Sequence, residues 1–283
     1  MVVYYMRIIK RKKGNLEYFY LQHSYRDGNR VITKERYIGK EIPQNIEKIE
    51  EELKVDLYGK LAKIKENFQK EWQKYPESVK EKEKEQIAIA FTYNTNAIEG
   101  STITLEDAQE IIHDKVSPKK SLRDVKETEA HSKVFLDMLA KREEMSNDLM
   151  LRWCKEIFGE TKPDIAGKYR DYPVRVGNYR APDWQDVKGL MNKLIQFINE
   201  NKINPVELSA KAHYRFERVH PFGDGNGRIG RLLMNYILWH NKYPMLIIEY
   251  KKRRTYYKAL QKDEEGFVSY FLRRYLAVHK KKK

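Results

Sequence analysis

Cysteine is nearly missing from this 283-residue sequence, and so are long apolar runs. Because Cys154 is the single cysteine, we expect no intramolecular disulfide and no thiolate metal site. No apolar run approaches the roughly 18 residues that a membrane helix needs. The N-terminus starts apolar and turns basic at residues 11–13, the reverse of the order in a secretory signal. We therefore expect a cytoplasmic protein without a membrane partner.

Acidic residues are outnumbered by basic ones. The chain has 41 Asp and Glu against 56 Lys and Arg, which gives a formal net charge of +15. Such a balance favours nucleotides, nucleic acid or acidic proteins as partners, although it carries no information about the fold. A surface rich in Lys and Glu can equally reflect solubility or growth temperature. Composition therefore leaves the partner open.

Residues 1–42 predict a small β-rich N-terminal module. The alternation of apolar and polar residues indicates strands near 2–9, 17–25 and 31–38, with Asp27-Gly28 as a hairpin turn. The first 40 residues carry ten basic residues and three acidic ones. Basic and aromatic residues on a small sheet could bind nucleic acid through charge and stacking. The favoured interpretation is an accessory β-meander whose aromatic residues form its own core.

The rest of the chain has a helical pattern with one interruption. We predict linking helices over 43–84, a main body over 85–275 and a basic tail over 276–283. Glycines and prolines in 163–183 surround a short β-like core, which predicts a hairpin or flap. The fold class is therefore mainly α with a small β-hairpin flap. The helices of the body are expected at roughly 85–99, 105–113, 121–141, 147–158, 184–201, 205–219, 226–240, 251–261 and 264–279.

One stretch, HPFGDGNGRIGR at residues 220–231, concentrates unusual residues ahead of an apolar helix. Its glycines Gly223, Gly225 and Gly227 suit a tight loop whose backbone N–H groups approach a ligand closely. A helix N-terminus behind such a loop attracts anions, since its first N–H groups are unpaired and the helix dipole is favourable. Phe222 has no reactive group and is expected to anchor the loop in the core. The stretch therefore predicts a phosphate-binding site.

The polar side chains of this loop suit phosphate chemistry. His220 can act as a general base near neutral pH. Asp224 has no lysine beside it in the sequence and could hold Mg²⁺ together with phosphate oxygens. Asn226 could donate to a phosphate, and Arg228 and Arg231 could neutralise the outer phosphates. Each residue has a simpler interpretation as a structural histidine, a turn former or a surface charge, and the chemistry leaves hydrolysis and transfer open.

The string HPFGDGNGRIGR matches HPFx[D/E]GNGRxxR, the signature of the Fic family, at every defined position. Residues 95–100 resemble the family's inhibitory-helix pattern, [S/T]xxxE[G/N]. The segment 167–182 resembles its target-positioning flap, and 253–260 resembles the segment that flanks its adenine pocket. The chain is similar to Fic proteins over about residues 85–275, which implies a Fic-like helical bundle.

This resemblance implies a protein adenylyltransferase, or AMPylase. AMP would pass from ATP, with Mg²⁺ as cofactor, to a Ser, Thr or Tyr hydroxyl of a target protein or of the enzyme itself, and a homodimer is a possible assembly. By the resemblance, His220 is the base, Asp224 is the metal ligand, and Gly225 to Gly227 form the anion hole. The residues implied to bind ATP are Gly225, Asn226, Gly227, Arg228, Arg231, Val176, Gly177, Asn178, Tyr179, Tyr256 and Tyr257.

Glu99 and Thr95 are implied to be regulatory. A Glu99 carboxylate in a bidentate ion pair with Arg231 would remove the group that holds the γ-phosphate. We therefore expect the isolated enzyme to be nearly silent. In the competing interpretation Glu99 merely ends its helix beside Gly100, but an unpaired carboxylate is unfavourable at a helix C-terminus.

Two alternative functions stay open. Some family members use the same glutamate in removing AMP, so a de-AMPylase or a related phosphate-transfer enzyme is one alternative. The other is a nucleic-acid-binding regulator that uses the basic N-terminal module. The complete signature, with both arginines, favours AMP transfer.

Overall fold

A computed structural model describes residues 5–27 and 30–279. These residues form a three-stranded antiparallel sheet and then a helical body with a two-stranded flap, which confirms the predicted mainly α class. The strands are β1 (Tyr5–Lys13), β2 (Leu16–Asp27), β3 (Arg30–Gly39), β4 (Arg175–Val176) and β5 (Tyr179–Arg180). The helices are α1 (Ile46–Trp72), α2 (Glu77–Ile98), α3 (Leu105–Gln109), α4 (Leu122–Ala140), α5 (Asn147–Phe158), α6 (Val187–Glu200), α7 (Pro205–Val219), α8 (Asn226–His240), α9 (Arg253–Leu260) and α10 (Glu264–His279).

The N-terminal sheet has the order β1-β2-β3, so each strand pairs with its neighbour in sequence. Leu21 at its centre pairs with Ile8 on one side and Arg36 on the other, and its side chain is fully buried. An ion pair of 2.6 Å joins Arg36 to Glu52 of α1. The predicted meander is therefore confirmed, although Gly28 of the predicted turn lies outside the described residues.

Local sequence signals set several helix boundaries. Thr104 and Asp107 form the predicted capping box at α3, and the Ser146 side chain accepts from the Leu149 N–H at the start of α5. Pro205 occupies the first turn of α7, where its missing N–H is harmless. Gly100 follows α2 with a φ of +89°, a conformation that glycine adopts readily.

Helix α8 is the centre of the body, because nearly all of its residues are buried. Its apolar residues contribute to two core clusters. One cluster lies among α2 and α4–α8 and includes Phe216, Ile229 and Leu233. The other involves α1, α9 and α10 and includes Met234 and Phe267. Burial on all sides holds the start of α8 in a fixed position.

Two boundaries differ in detail from the prediction. The predicted linking segment of 43–84 contains α1 and the start of α2, and α1 begins three residues after Pro43, whose carbonyl accepts from the Ile46 N–H. The predicted division at 84/85 lies inside α2, which runs without a break from Glu77 after Pro76. None of the helices in the described part of the chain is long and apolar enough to cross a membrane.

Candidate active site

The glycine-rich loop connects the end of α7 to the start of α8. His220 ends α7 with a φ of +51°, and Gly225 precedes α8 with a φ of +79°. A Cβ at Gly225 would collide with the ring of Phe158, so only glycine fits there. Phe222 is fully buried, with its ring 5.7 Å from that of Tyr169. Phe222 thus anchors the loop as its sequence position suggested.

Asn226 shapes this loop through its side chain. Its Oδ1 accepts from the Phe222 N–H at 2.9 Å, and its Nδ2 donates to the Phe222 carbonyl at 2.8 Å. One N–H of this amide is thus used within the loop, and donation of the other to a phosphate stays a prediction. The first backbone N–H groups of α8 have no partner inside the helix and could bind an anion.

Arg170 holds the loop and the flap together, and it is 4% exposed. Its Nε donates to the His220 carbonyl at 2.9 Å, and its Nη2 donates to the Pro182 carbonyl at 2.7 Å. Nη1 donates to the Tyr172 carbonyl at 2.9 Å, and the Arg170 N–H donates to the Pro221 carbonyl at 2.9 Å. One buried guanidinium thus fixes both ends of the flap against the backbone of the candidate base.

His220 is partly exposed, and Nδ1 is its buried ring nitrogen. Burial lowers the pKa of His220 below its usual value of 6.5, and the Arg170 guanidinium lowers it further. The imidazole is therefore neutral at pH 7 and can accept a proton at Nε2. A neutral imidazole is the form that general-base catalysis requires.

Asp224 has a lysine partner, contrary to the expectation from its sequence neighbours. Lys162 lies 62 positions earlier in the chain, and its Nζ is 2.8 Å from Asp224 Oδ2. Burial alone would raise the pKa of Asp224, but Lys162 and Arg228 outweigh it and lower the pKa. Asp224 is therefore ionised at neutral pH.

The protein supplies only some of the ligands that a divalent cation would need at this position. Among the described residues, no three His, Cys, Asp or Glu side chains form a metal-binding group. Asp224 alone offers a half-exposed carboxylate, with a side chain 44% exposed. Mg²⁺ commonly uses one or two carboxylates and takes its other oxygens from phosphates and water. The site thus suits a cation that arrives with a nucleotide.

Arg228 is 6% exposed and is held by Glu127 of α4. Its guanidinium lies 4.3 Å above the ring of Phe158 and 3.8 Å from Asp224. Burial would raise the pKa of Glu127, but Arg228 and Lys162 together lower it. Glu127 therefore carries a buried negative charge that positions both cations.

Arg231 points to α2 and is 1% exposed. Its Nε donates to Thr95 Oγ1 at 2.7 Å, and its Nη2 donates to Glu99 Oε1 at 2.7 Å and to the Thr95 carbonyl at 3.1 Å. The ion pair has one short contact rather than the expected bidentate form, because Thr95 occupies Nε. Burial would lower the pKa of Arg231, but the Glu99 carboxylate outweighs burial and raises it.

The Glu99 carboxylate also lies directly on the glycine loop. A Cβ built at Gly227 would collide with Glu99 Oε1, so this carboxylate oxygen sits against the start of α8. A negative charge thus lies beside the first turn of α8, the end of a helix that attracts anions.

The remaining predicted site residues lie at the rim or beneath it. Val176 is exposed in the flap, as are Gly177 and Asn178. Tyr179 donates its hydroxyl to the Arg218 carbonyl at 2.8 Å. Tyr257 is 41% exposed and donates to the carbonyl of Ile98 at 3.2 Å.

Tyr256 has little surface for a ligand, because it is 1% exposed. It instead contacts Arg231 Nη1 at 3.5 Å and His213 Nε2 at 2.8 Å. Its position indicates a support for Arg231 rather than a group that touches a nucleotide.

Sequence reasoning missed four contributors to the site: Glu127, Lys162, Arg170 and Glu217. Arg170 was within reach, because it belongs to the segment that resembles the family flap. Burial raises the pKa of Glu217 to about 7, and Glu217 lies one helical turn before His220. Nothing in the sequence distinguishes Lys162 from the other basic residues, and its role depends on the fold.

A helical body whose buried central helix follows a glycine-rich loop and carries two arginines in its first turns is typical of helical proteins that bind an anion at a helix N-terminus. Residues 144–238 match the Fic/DOC family. The chain therefore carries a Fic domain, and the resemblance seen in the sequence is confirmed.

Individual relatives agree with this assignment. The chain is 33% identical over 189 residues to a protein adenylyltransferase Fic of Nematostella vectensis, covering 64% of this chain and 44% of the relative. Over 198 residues it is 33% identical to protein adenylyltransferase fic-1 of Caenorhabditis elegans, covering 67% and 39%. The chain thus spans only about two fifths of the length of these curated relatives.

Solved structures share the fold. Fic-1 (residues 134–508) of C. elegans superimposes with a TM-score of 0.69 at 25% identity, covering 84% of this chain and 76% of that one. A Fic-domain-containing signalling protein of Bacteroides thetaiotaomicron gives 0.64 at 26% identity, covering 80% and 95%. The likeness therefore extends beyond the matched domain to most of the helical body.

Proposed function

We propose that this protein is a protein adenylyltransferase that transfers AMP from ATP to a hydroxyl side chain of a target protein or of itself. The relatives that carry this name and the complete glycine-rich loop support the activity. The single observation that carries the proposal is the ion pair of 2.7 Å between Arg231 of α8 and Glu99 at the end of α2. Arg231 is a group that would bind a phosphate of ATP, and Glu99 is a group that would block this binding.

In the proposed reaction, His220 Nε2 accepts the proton of the target hydroxyl. The hydroxyl oxygen attacks the α-phosphorus, the bond from this phosphorus to the bridging oxygen breaks, and pyrophosphate leaves. The lowered pKa of His220 keeps its imidazole free to take this proton at neutral pH. Arg170 holds the base and the flap in one arrangement, so the target hydroxyl and His220 are positioned together.

Positive groups at the start of α8 would stabilise the phosphates. The N–H groups of Asn226 and Gly227 lie in the first turn of α8 and would bind the phosphates, with Arg228 and Arg231 beside them. A divalent cation held by Asp224 and the phosphates would neutralise charge on the leaving pyrophosphate. Mg²⁺ is the cation we propose, since one carboxylate is enough for it.

The described conformation is, in this proposal, the inhibited one. Arg231 is bound to Glu99 and Thr95, so it has no free donor pair for a γ-phosphate. The Glu99 carboxylate would also repel that phosphate at the start of α8. ATP could then bind only in an unproductive pose until α2 or its last turn moves.

Labelled ATP tests activity and inhibition together. Wild type, Glu99→Gly and Glu99→Gly/His220→Ala are incubated with Mg²⁺ and ATP labelled on the α-phosphate in one series and the γ-phosphate in the other. We expect label on protein only from the α-series, strong in Glu99→Gly, at least tenfold weaker in wild type and absent in the double variant. Glu129→Gly, an exposed change on α4, is the control and should behave as wild type.

The other outcomes are equally informative. Label from the γ-phosphate would replace adenylyl transfer with phosphoryl transfer. Equal α-labelling of wild type and Glu99→Gly would refute inhibition but keep the activity. If no variant is labelled in the presence of a cell extract as the source of targets, AMP transfer is refuted.

A further inference from the structure

Lys162 is a nearly buried lysine at the candidate metal position. It lies after α5, and its side chain is 13% exposed. The Nζ atom is 2.8 Å from Asp224 Oδ2, 2.7 Å from Glu127 Oε1 and 4.9 Å from the centre of the Phe158 ring. Its charge therefore bridges two carboxylates, one of which is the ligand that a divalent cation would use.

A divalent cation and this ammonium group would compete for Asp224. Two cations on one carboxylate repel each other, and the nearly buried position of Lys162 limits how far water screens that repulsion. Positive charge already exceeds negative charge here before any metal ion is added, since Lys162, Arg228 and the more exposed Arg123 face only Glu127 and Asp224. A free cation entering alone would have to displace Lys162 without any charge to compensate for it.

Glu127 makes this displacement possible when a nucleotide is present. It contacts Lys162 independently of Asp224, so the ammonium group keeps a buried partner after it releases Asp224. The phosphates of ATP would at the same time bring the negative charge that the added cation requires.

We propose that Lys162 is an internal counter-cation that competes with the divalent cation for Asp224, so that the cation enters with the nucleotide rather than alone. This inference rests on the proposed function in that it takes a metal–nucleotide complex as the substrate. It makes Lys162 a positioning residue, because its ammonium group keeps Asp224 charged and oriented until the nucleotide binds.

The test is a titration of the full-length protein with Mn²⁺ alone, followed by electron paramagnetic resonance of free Mn²⁺. Removing a nearby like charge shifts the affinity of a carboxylate for a cation by about tenfold or more. We therefore expect Lys162→Met to bind Mn²⁺ at least about tenfold more tightly than wild type. Lys162→Arg, which keeps the charge, and Lys168→Met, an exposed control on the same segment, should match wild type.

Adding Asp224→Asn to Lys162→Met should remove the gain, which assigns it to this carboxylate. Unchanged or weaker Mn²⁺ binding by Lys162→Met would overturn the proposal, and so would a gain that survives Asp224→Asn. Circular dichroism checks that the variants are folded, and Lys162→Arg separates charge from packing. These titrations contain no ATP, so their result does not depend on whether the protein transfers AMP.

Discussion

His220 accepts a proton only as a neutral imidazole, and its surroundings favour that form. Its pKa is lowered from the usual 6.5, so the neutral imidazole predominates at any pH above that lowered pKa. The neutral form is lost as the pH falls through the lowered pKa. In the Glu99→Gly background, we expect labelling rates between pH 5 and 8 to show an acid limb with a midpoint below 6.5.

Glu217 is a neighbouring group whose titration could also produce an acid limb in the labelling rate, but near pH 7, since its pKa is about 7. The variant Glu99→Gly/Glu217→Gln is therefore the control, and its limb should keep the same midpoint. A limb near pH 7 that disappears in this variant would assign the control of the rate to Glu217 instead of His220.

Glu127 is the buried charge on which two cations of the site depend. Because removing one partner of a buried ion pair leaves the others uncompensated, Glu127→Ala should lower the free energy of unfolding by about 3 kcal/mol. Glu129→Ala, exposed on the same helix, should change it by less than about 0.5 kcal/mol. Urea denaturation followed by circular dichroism measures both.

The pH dependence of this difference has a defined sign. The folded pKa of Glu127 is lowered, so its contribution is complete above the unfolded value of 4.5 and is lost as the pH falls through the folded value. The gap between wild type and Glu127→Ala should therefore shrink below pH 4.5. A gap that stays constant down to pH 3 would contradict the role of the charge.

The sequence was a good guide to residues whose role is local and a poor guide to partners brought in by the fold. The anchor Phe222 could be predicted because a loop of glycines needs one apolar fixed point. The partner of Asp224 could not, since Lys162 reaches it only after α5 packs beside α8. The two hydrogen bonds between the Asn226 amide and the Phe222 backbone could not be predicted either, because they depend on the path of the loop.

At the scale of elements, the last turn of α2 carries the control of the site. Gly100 ends this turn with a φ of +89°, which costs other residues about 1–2 kcal/mol. Gly100→Ala should therefore strain the turn that presents Glu99 and shift the chain toward the released state. We expect α-phosphate labelling to rise about fivefold over wild type, because roughly 1 kcal/mol corresponds to that factor.

The control for this change is Gly189→Ala in α6, where a Cβ meets open space and no positive φ is required. It should leave labelling at the wild-type level. Labelling of Gly100→Ala at or below the wild-type level would show that Glu99 does not depend on the geometry of this turn.

Elements with repeating patterns were predictable, and their limits depended on single residues. Helix α5 has buried residues at Met150, Trp153, Cys154 and Ile157, a spacing that identifies one apolar face. The start of α2 was harder to see, because the charge run at 80–84 has no apolar face of its own. Pro76 is the N-cap residue of α2, so the helix begins at Glu77.

For the whole molecule, we propose a β-rich module over residues 1–42, a linking helix, and a Fic unit that starts with α2 and extends to about residue 275. The start of the unit is placed at Glu77 because α2 is continuous from there. Nucleic-acid binding by the basic module and formation of a homodimer stay predictions.

The ion pair between Glu99 and Arg231 should stabilise the whole chain when no nucleotide is bound. Glu99→Gly leaves Arg231 buried without its carboxylate, although Thr95 still accepts from it. The Glu99 side chain is 31% exposed, so we expect a loss of roughly 1–2 kcal/mol rather than the full value for a buried pair. Without nucleotide, the variant should therefore melt several degrees lower.

Mg-ATP should reverse this order of stability, so that the chain without Glu99 becomes the one that melts at the higher temperature. Binding at about 100 times the dissociation constant stabilises a protein by about 2.7 kcal/mol. We expect this gain in Glu99→Gly/His220→Ala, where Arg231 is available and turnover is prevented, and a much smaller gain in His220→Ala alone. Differential scanning fluorimetry of these two variants with and without Mg-ATP measures the four melting temperatures. Equal gains in both variants would mean that Glu99 does not exclude the γ-phosphate, and that the ion pair with Arg231 serves stability rather than control.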